Sequence, residues 1–311
     1  MRRALPLLGL LLGLLLSGCA KDASHYSESA TYQGAGPIRA LCTTGMVADI
    51  VRNIGGDAVA VDQLMGAGVD PHLYKASTGD VERLSSADVI FYSGLHLEGK
   101  LAELFDRMAH SKRVVAVADG IPADRLLPVA GGLYDPHVWF DVSLWRLAAE
   151  HARDELARFD PPRAAEYRQR AEAYLRSLDE LDQYVRARVA ELPESHRVLV
   201  TAHDAFHYFG RAYGLELKPI QGVSTDAEAG VREINELVRY LVDHKIKAVF
   251  VETSVSERNI RALVEGCAAS DHEVKIGGEL FSDAMGKAGT PEGTYVGMVR
   301  HNVDTIVAAL K

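Results

Sequence analysis

The chain has 311 residues and a formal net charge of −9, from 34 basic and 43 acidic side chains. This length suits two domains or one large one, and the negative charge argues against a nucleic-acid-binding protein, which needs a basic face for phosphates. Apolar residues make up 48% of the chain, as in soluble globular proteins, and three cysteines are too few for a disulfide scaffold or a four-cysteine zinc site.

The N-terminus is typical of a secretory signal. A basic start is followed by an apolar run over residues 4–16, which is too short to span a bilayer. The run ends in the sequence LSGC, which resembles a bacterial lipobox. We therefore expect residues 1–18 to be removed and Cys19 to carry a lipid; the alternative is an ordinary secretory signal that happens to contain a cysteine. Residues 19–37 are small and polar and predict a flexible tether.

From residue 38 onward, short β-branched runs alternate with helical patterns, which is typical of βαβ units and parallel sheets. The first half predicts strands at 38–44, 59–65, 89–93 and 114–118 and helices at 46–54, 78–87 and 98–109. The second half predicts strands at 198–201, 217–220, 247–252 and 274–277 and helices at 204–213, 232–243, 257–269 and 295–310. The fold class is therefore α/β, with two (βα)₄-type lobes.

One long helical pattern lies between the two halves. Apolar residues recur every three or four positions from Tyr167 to Leu192, after a Pro-Pro pair and before Pro193. This stripe predicts a single stiff connecting helix. The predicted organisation is an N-terminal lobe at 38–160, a connecting helix at 161–192 and a C-terminal lobe at 193–311.

Four side chains with metal-binding chemistry follow predicted strands, where open α/β sheets bind their ligands. His72 follows the second strand, His137 follows the fourth, His203 directly follows the fifth, and Asp283 follows the last. Each lobe supplies two of them, so together they can close a site in the cleft between the lobes. Three imidazoles and one carboxylate suit Zn²⁺, Mn²⁺ or Fe²⁺, although a lone loop histidine is more often a surface or capping residue.

Two of these histidines stand in Asp-Pro-His stretches, at 70–72 and 135–137, where proline restricts the backbone before the imidazole. Asp70, Asp135 and Glu252 are candidate acceptors for the N–H groups of the ligands. The alternative for each is an ordinary turn or loop carboxylate.

Further stretches extend the pattern over nearly the whole mature chain: VDPHLYKAS at 69–77, DVIFYSGLHLE at 88–98, DPHVWFDVSLW at 135–145, RVLVTAHDAFHYF at 197–209, QGVST at 221–225 and GELFSDAMGKAGTPEGTYVGMVRHNVDTIVAAL at 278–310. With them the sequence resembles the cluster A-I proteins of bacterial ABC importers, which are zinc/manganese solute-binding lipoproteins. The resemblance implies that His72, His137, His203 and Asp283 are the metal ligands. It also implies an ABC permease and its ATPase as partners.

The sequence departs from two patterns of this family. Some zinc-specific members carry a histidine-rich loop before the second ligand, but residues 120–134 contain no histidine. Manganese-specific members usually have Glu where this chain has His203. The resemblance therefore implies Zn²⁺ and/or Mn²⁺ as the transported metal, and a nitrogen-rich site favours Zn²⁺.

We thus expect this protein to be the metal-binding lipoprotein of an ABC importer, and not an enzyme. We expect it to be a monomer that is anchored through Cys19 at the periplasm or cell surface and that binds no nucleic acid. One alternative is a zinc-dependent hydrolase, which would need an open water position on the metal. Another is a surface adhesin that is stabilised by the metal. Cys42 and Cys267 are predicted to be inert buried thiols.

Overall fold

The computed structural model of the chain describes residues 31–311. The predicted signal, Cys19 and most of the predicted tether lie outside the described residues. Within the last part of the tether, the Tyr32 amide donates to the carbonyl oxygen of Phe159 at 2.6 Å, and the two rings pack with centroids 5.9 Å apart. None of the described helices is both long enough and apolar enough to cross a membrane.

The N-terminal lobe is built on a four-stranded parallel sheet of order β2-β1-β3-β4. Its elements in chain order are β1 (Ile38–Cys42), α1 (Gly45–Gly55), β2 (Val59–Gln63), α2 (Thr78–Ser86), β3 (Val89–Tyr92), α3 (Ala102–Ala109) and β4 (Arg113–Ala116). Side chains cap the N-termini of the first two helices: the Thr44 hydroxyl accepts from the Val47 amide of α1, and Ser77 with Asp80 forms a capping box on α2. The predicted strands and helices of this lobe are all present, with shifts at their ends.

Two packed helices follow the sheet, α4 (Val142–Phe159) and α5 (Ala164–Ala190). We did not predict α4, although Asp141 caps its N-terminus by accepting from two backbone amides. Helix α5 is the predicted connector; a 3₁₀ turn at Pro161–Arg163 precedes it, and its 27 residues span about 40 Å. The predicted apolar stripe on α5 is buried along its length.

The C-terminal lobe contains two parallel strand pairs, β5 with β6 and β7 with β8, and β5 lies beside β7. Its elements are β5 (Val198–Thr201), α6 (His207–Tyr213), β6 (Glu216–Pro219), α7 (Val231–Asp243), β7 (Ala248–Glu252), α8 (Arg258–Ala268), β8 (Lys275–Leu280) and α9 (Tyr295–Leu310). Gly278 lets α9 approach β8, since a Cβ atom there would lie 2.4 Å from the Thr305 side chain.

The largest hydrophobic core runs through both lobes and the helices between them. Phe140 stacks on Phe206 with ring centroids 4.3 Å apart, and Trp145 packs on Tyr295 at 5.7 Å. Each pair joins residues that are far apart in the chain. The lobes are therefore joined by packed aromatic side chains as well as by α5.

Candidate metal centre

The carboxyl ends of the strands bring the four predicted ligands to one point. His203 lies two residues after β5, and Asp283 lies three residues after β8. His72 lies in the turn between β2 and α2, and His137 immediately precedes a short 3₁₀ turn that leads into α4. One potential ligand atom from each of the four lies within 4.8 Å of all the others.

The spacing of these atoms matches a metal site. The Nε2 atoms of His137 and His203 lie 3.3 Å from Oδ1 and Oδ2 of Asp283, respectively. The Nε2 atom of His72 lies 3.4 Å from that of His137 and 3.6 Å from Asp283 Oδ2. Zinc–nitrogen bonds of about 2.0–2.1 Å in a tetrahedron place neighbouring ligand atoms about 3.3 Å apart. The residues present therefore fit a four-coordinate divalent metal.

All four side chains are buried, yet several of their polar atoms form no hydrogen bond. His203 Nε2 and both carboxylate oxygens of Asp283 are fully enclosed and lack a hydrogen-bond partner. Leaving such groups unsatisfied costs stability, and the cost is largest for a charged group. A cation bound among them would satisfy these lone pairs.

Two buried carboxylates orient two of the imidazoles. Asp135 Oδ1 accepts from the His137 amide at 2.9 Å and lies 2.7 Å from its Nδ1. Glu252, the last residue of β7, binds His203 with both oxygens, at 2.9 Å to the amide and 2.5 Å to Nδ1. With Nδ1 occupied in this way, Nε2 of each ring faces the centre of the cluster.

The third candidate acceptor, Asp70, is arranged differently. Its Oδ1 accepts from the His72 amide at 2.8 Å, but its Oδ2 accepts from the Thr225 hydroxyl of the other lobe at 2.6 Å. Asp70 thus holds the backbone of His72 and reaches across the cleft. The sequence did not predict a role for Thr225, because its partner Asp70 lies 155 positions away and no local pattern indicates the contact.

Burial and the neighbouring carboxylates act in opposite directions on the imidazoles. Burial lowers the pKa of His72 to about 4. Burial also disfavours a charged His137, but Asp135 and Asp283 outweigh it and raise its pKa to about 9. For His203 the same competition, with Glu252 and Asp283, raises the pKa well above its ordinary value. The pKa of Asp283 is lowered because the imidazoles outweigh its burial.

Trp139 connects the ligand loops of the two lobes. Its indole N–H donates to the carbonyl oxygen of Ser282, next to Asp283, at 3.1 Å, and its ring packs edge-on against His137. The Tyr295 hydroxyl in turn donates to the Trp139 carbonyl oxygen at 2.6 Å. These contacts were not predicted; the only local signal was an aromatic residue two positions after the predicted ligand His137.

A cleft of about 500 Å³ lies beside the cluster, lined by His72 and by residues of both lobes. His96 lines it too, in a loop where Leu95 and His96 both have positive φ. His207, the first residue of α6 and four positions after His203, is exposed, and its Nδ1 lies 3.2 Å from Asp204. Neither His96 nor His207 belongs to the four-residue cluster.

The profile of the family described as zinc-uptake complex component A, periplasmic, matches residues 41–309. The chain belongs to this family. It is also 48% identical over the whole of both chains to the manganese-binding lipoprotein MntA of Bacillus subtilis. It is 49% identical to the zinc-binding protein TroA of Treponema pallidum, over 96% of each chain.

The fold is also that of a solved relative. The solved structure of the periplasmic zinc-binding protein TroA from Treponema pallidum superposes on this chain with a TM-score of 0.87 at 51% identity. The superposition covers 88% of this chain and 99% of that one. The predicted two-lobed α/β fold with parallel sheets and one long connecting helix is thereby confirmed.

Proposed function

We propose that this protein is the extracytoplasmic metal-binding lipoprotein of an ABC importer, and that it captures Zn²⁺ and/or Mn²⁺ and delivers it to the membrane permease. The observation that carries the proposal is the buried cluster of three imidazoles and one carboxylate, whose ligand atoms are spaced for a single cation. Relatives named for binding manganese and zinc support the choice of metals.

In this proposal His72, His137, His203 and Asp283 are the metal ligands. Each imidazole donates a neutral nitrogen lone pair, and Asp283 contributes one negative charge. The carboxylates that orient His137 and His203 add two more, so a divalent cation leaves the buried site with a net charge near −1. Because both oxygens of Asp283 face the cluster, the site can add a fifth bond for Mn²⁺, while its three nitrogens favour Zn²⁺.

No chemical step is part of this function. A hydrolytic zinc keeps an open position for water and has a general base beside it. Here four protein side chains surround the metal position, and Glu252, the carboxylate considered as a general base, has both oxygens bound to His203. These features argue for capture and release, and against the hydrolase alternative.

We further propose that the protein acts as a monomer on a lipid anchor at Cys19, at the periplasm or the cell surface. The anchor would hold it near its partners, the permease and the ATPase of the importer. The family description and the relatives named as lipoproteins support this placement.

Metal content and metal affinity test the proposal. Protein purified without added metal is analysed for bound zinc and manganese, and then titrated with Zn²⁺ and Mn²⁺ in competition with a chelator. His203→Ala should weaken binding at least about 100-fold, since it removes one of four bonds and leaves Asp283 and Glu252 buried without their partner. His207→Ala removes an exposed imidazole four positions along the chain and is the matched control.

A wild-type protein that binds neither metal more tightly than a surface histidine pair would overturn the proposal. Unchanged affinity in His203→Ala would remove that residue from the ligand set. Hydrolysis of model esters or phosphoesters by the zinc-loaded protein would favour the enzyme instead. Deletion of the gene should reduce zinc or manganese uptake by the cells.

A further inference from the structure

The segment between β6 and α7, residues 220–230, is here named the cleft loop. It belongs to the C-terminal lobe but contacts the N-terminal lobe at two adjacent positions. The Thr225 hydroxyl donates to Asp70 Oδ2 at 2.6 Å, and Asp226 Oδ1 lies 3.1 Å from Lys100 Nζ. Thr225 is 8% exposed, whereas the ion pair is half exposed, so the threonine contact is the better protected of the two.

The base of the cleft loop is tied to the backbone around His203. The Gln221 amide donates to the Ala202 carbonyl oxygen at 3.0 Å, and the Asp204 amide donates to the Gly222 carbonyl oxygen at 3.4 Å. The base of the loop is therefore held beside His203, in its own lobe. Farther along the loop, Thr225 bonds to Asp70, which holds the His72 amide in the other lobe.

Asp70 connects the two lobes at this point of the cleft. Its two oxygens serve different lobes: Oδ1 holds the amide of His72, and Oδ2 holds the cleft loop through Thr225. Asp135 and Glu252, by contrast, serve ligands of their own lobes. Loss of the Thr225 bond therefore weakens the support of His72 through Asp70, whereas the carboxylate contacts of His137 and His203 do not run through Thr225.

We propose that Thr225 and Asp70 form a latch that keeps the cleft closed beside His72 and so sets the rate at which metal leaves the site. The proposal rests on the metal-binding function proposed above. The cleft loop and His72 line the same cleft, so the position of the loop sets how wide the cleft is beside this ligand. Thr225 is thus a positioning residue, which acts through Asp70 on His72.

The latch predicts a specific kinetic signature. It is intact in the closed, loaded protein and broken in the state from which metal escapes, so its loss accelerates dissociation. Metal enters through the open form, in which the latch is already broken, so the association rate changes little. We expect Thr225→Val, which replaces the hydroxyl with a methyl group, to speed dissociation about tenfold and to raise Kd by the same factor.

The experiment measures Zn²⁺ dissociation by stopped flow into an excess of fluorescent chelator, and association by rapid mixing. The variants are Thr225→Val and Thr225→Ala, which both remove the hydroxyl, and Thr225→Ser, which keeps it. Thr78→Val makes the same replacement on the exposed first residue of α2 and is the matched control. The melting temperature of each metal-free variant is recorded to separate release from folding.

Faster dissociation in both hydroxyl-free variants, with wild-type rates in Thr225→Ser and Thr78→Val, supports the latch. Wild-type dissociation in Thr225→Val and Thr225→Ala overturns it, as does an equal acceleration in Thr225→Ser. A change confined to the association rate also overturns it. If the wild-type protein binds no Zn²⁺, the metal-binding function itself fails, whereas tight wild-type binding with unaltered variants refutes the latch alone.

Discussion

Replacement of Glu252 by glutamine tests how much the buried carboxylate contributes to the site. Both of its oxygens accept from His203, at 2.9 Å from the amide and 2.5 Å from Nδ1, and the residue is 2% exposed. A glutamine in the same place has one acceptor and one NH₂ group. The NH₂ group must face either the amide N–H or the Nδ1–H of His203, so one of the two hydrogen bonds is lost along with the charge.

The expected loss of metal affinity is about tenfold to 100-fold. A hydrogen bond to a charged group contributes about 1.5–3 kcal/mol. Part of this free energy is lost from the stability of the metal-free protein, in which the same contact exists. The rest is lost from the free energy of metal binding, because a metal on Nε2 makes the Nδ1–H more acidic and strengthens its bond to Glu252. Loss of a carboxylate that orients a metal-bound histidine typically costs 10- to 100-fold in affinity, or about 1.4–2.8 kcal/mol.

The loss of metal affinity in Glu252→Gln should increase with pH. In the wild-type protein Glu252 helps to raise the pKa of His203, so a proton competes with the metal at low pH. Glu252→Gln relieves that competition, so its affinity deficit should be larger at pH 8.5 than at pH 6.5. Chelator competition at both pH values measures it, with Glu279→Gln on the exposed part of β8 as control. A deficit below twofold at pH 8.5 would refute the assigned role of Glu252.

Two further predictions concern protons and stability. The neighbouring carboxylates raise the pKa of His137 to about 9 and also raise the pKa of His203, so Zn²⁺ has to displace protons from these imidazoles and its binding at pH 7 should release protons. Calorimetry in buffers of different ionisation enthalpy counts them, and a buffer-independent enthalpy would contradict this view of the site. Lys112 donates to three carbonyl oxygens at the end of α2, at 2.6–2.9 Å, so Lys112→Met should lower the free energy of unfolding by about 1.5–3 kcal/mol without changing metal affinity. Urea denaturation measures this effect, and an unshifted midpoint would show that these bonds contribute nothing net.

Much of the fold is visible in the sequence because local pattern dictates it. The stripe from Tyr167 to Leu192 predicts α5, and the closing helix has the same bounds, Tyr295–Leu310, in sequence and structure. Helix α4 was not predicted, although its buried face carries residues at helical spacing. Helix α6 begins at His207 instead of at residue 204, because the intervening residues form the loop that carries His203 toward Glu252.

The four candidate ligands could be selected from the sequence because strand ends are marked by local pattern and by the motifs that surround each residue. What the tertiary structure alone decided is which atoms meet. The contact of Glu252 with His203 joins residues that are 49 positions apart, and that of Trp139 with Ser282 joins the two lobes. The bond from Thr225 to Asp70 spans 155 residues. Such pairs depend on how the lobes pack across the cleft, and one-dimensional periodicity carries no information about packing between elements distant in the chain.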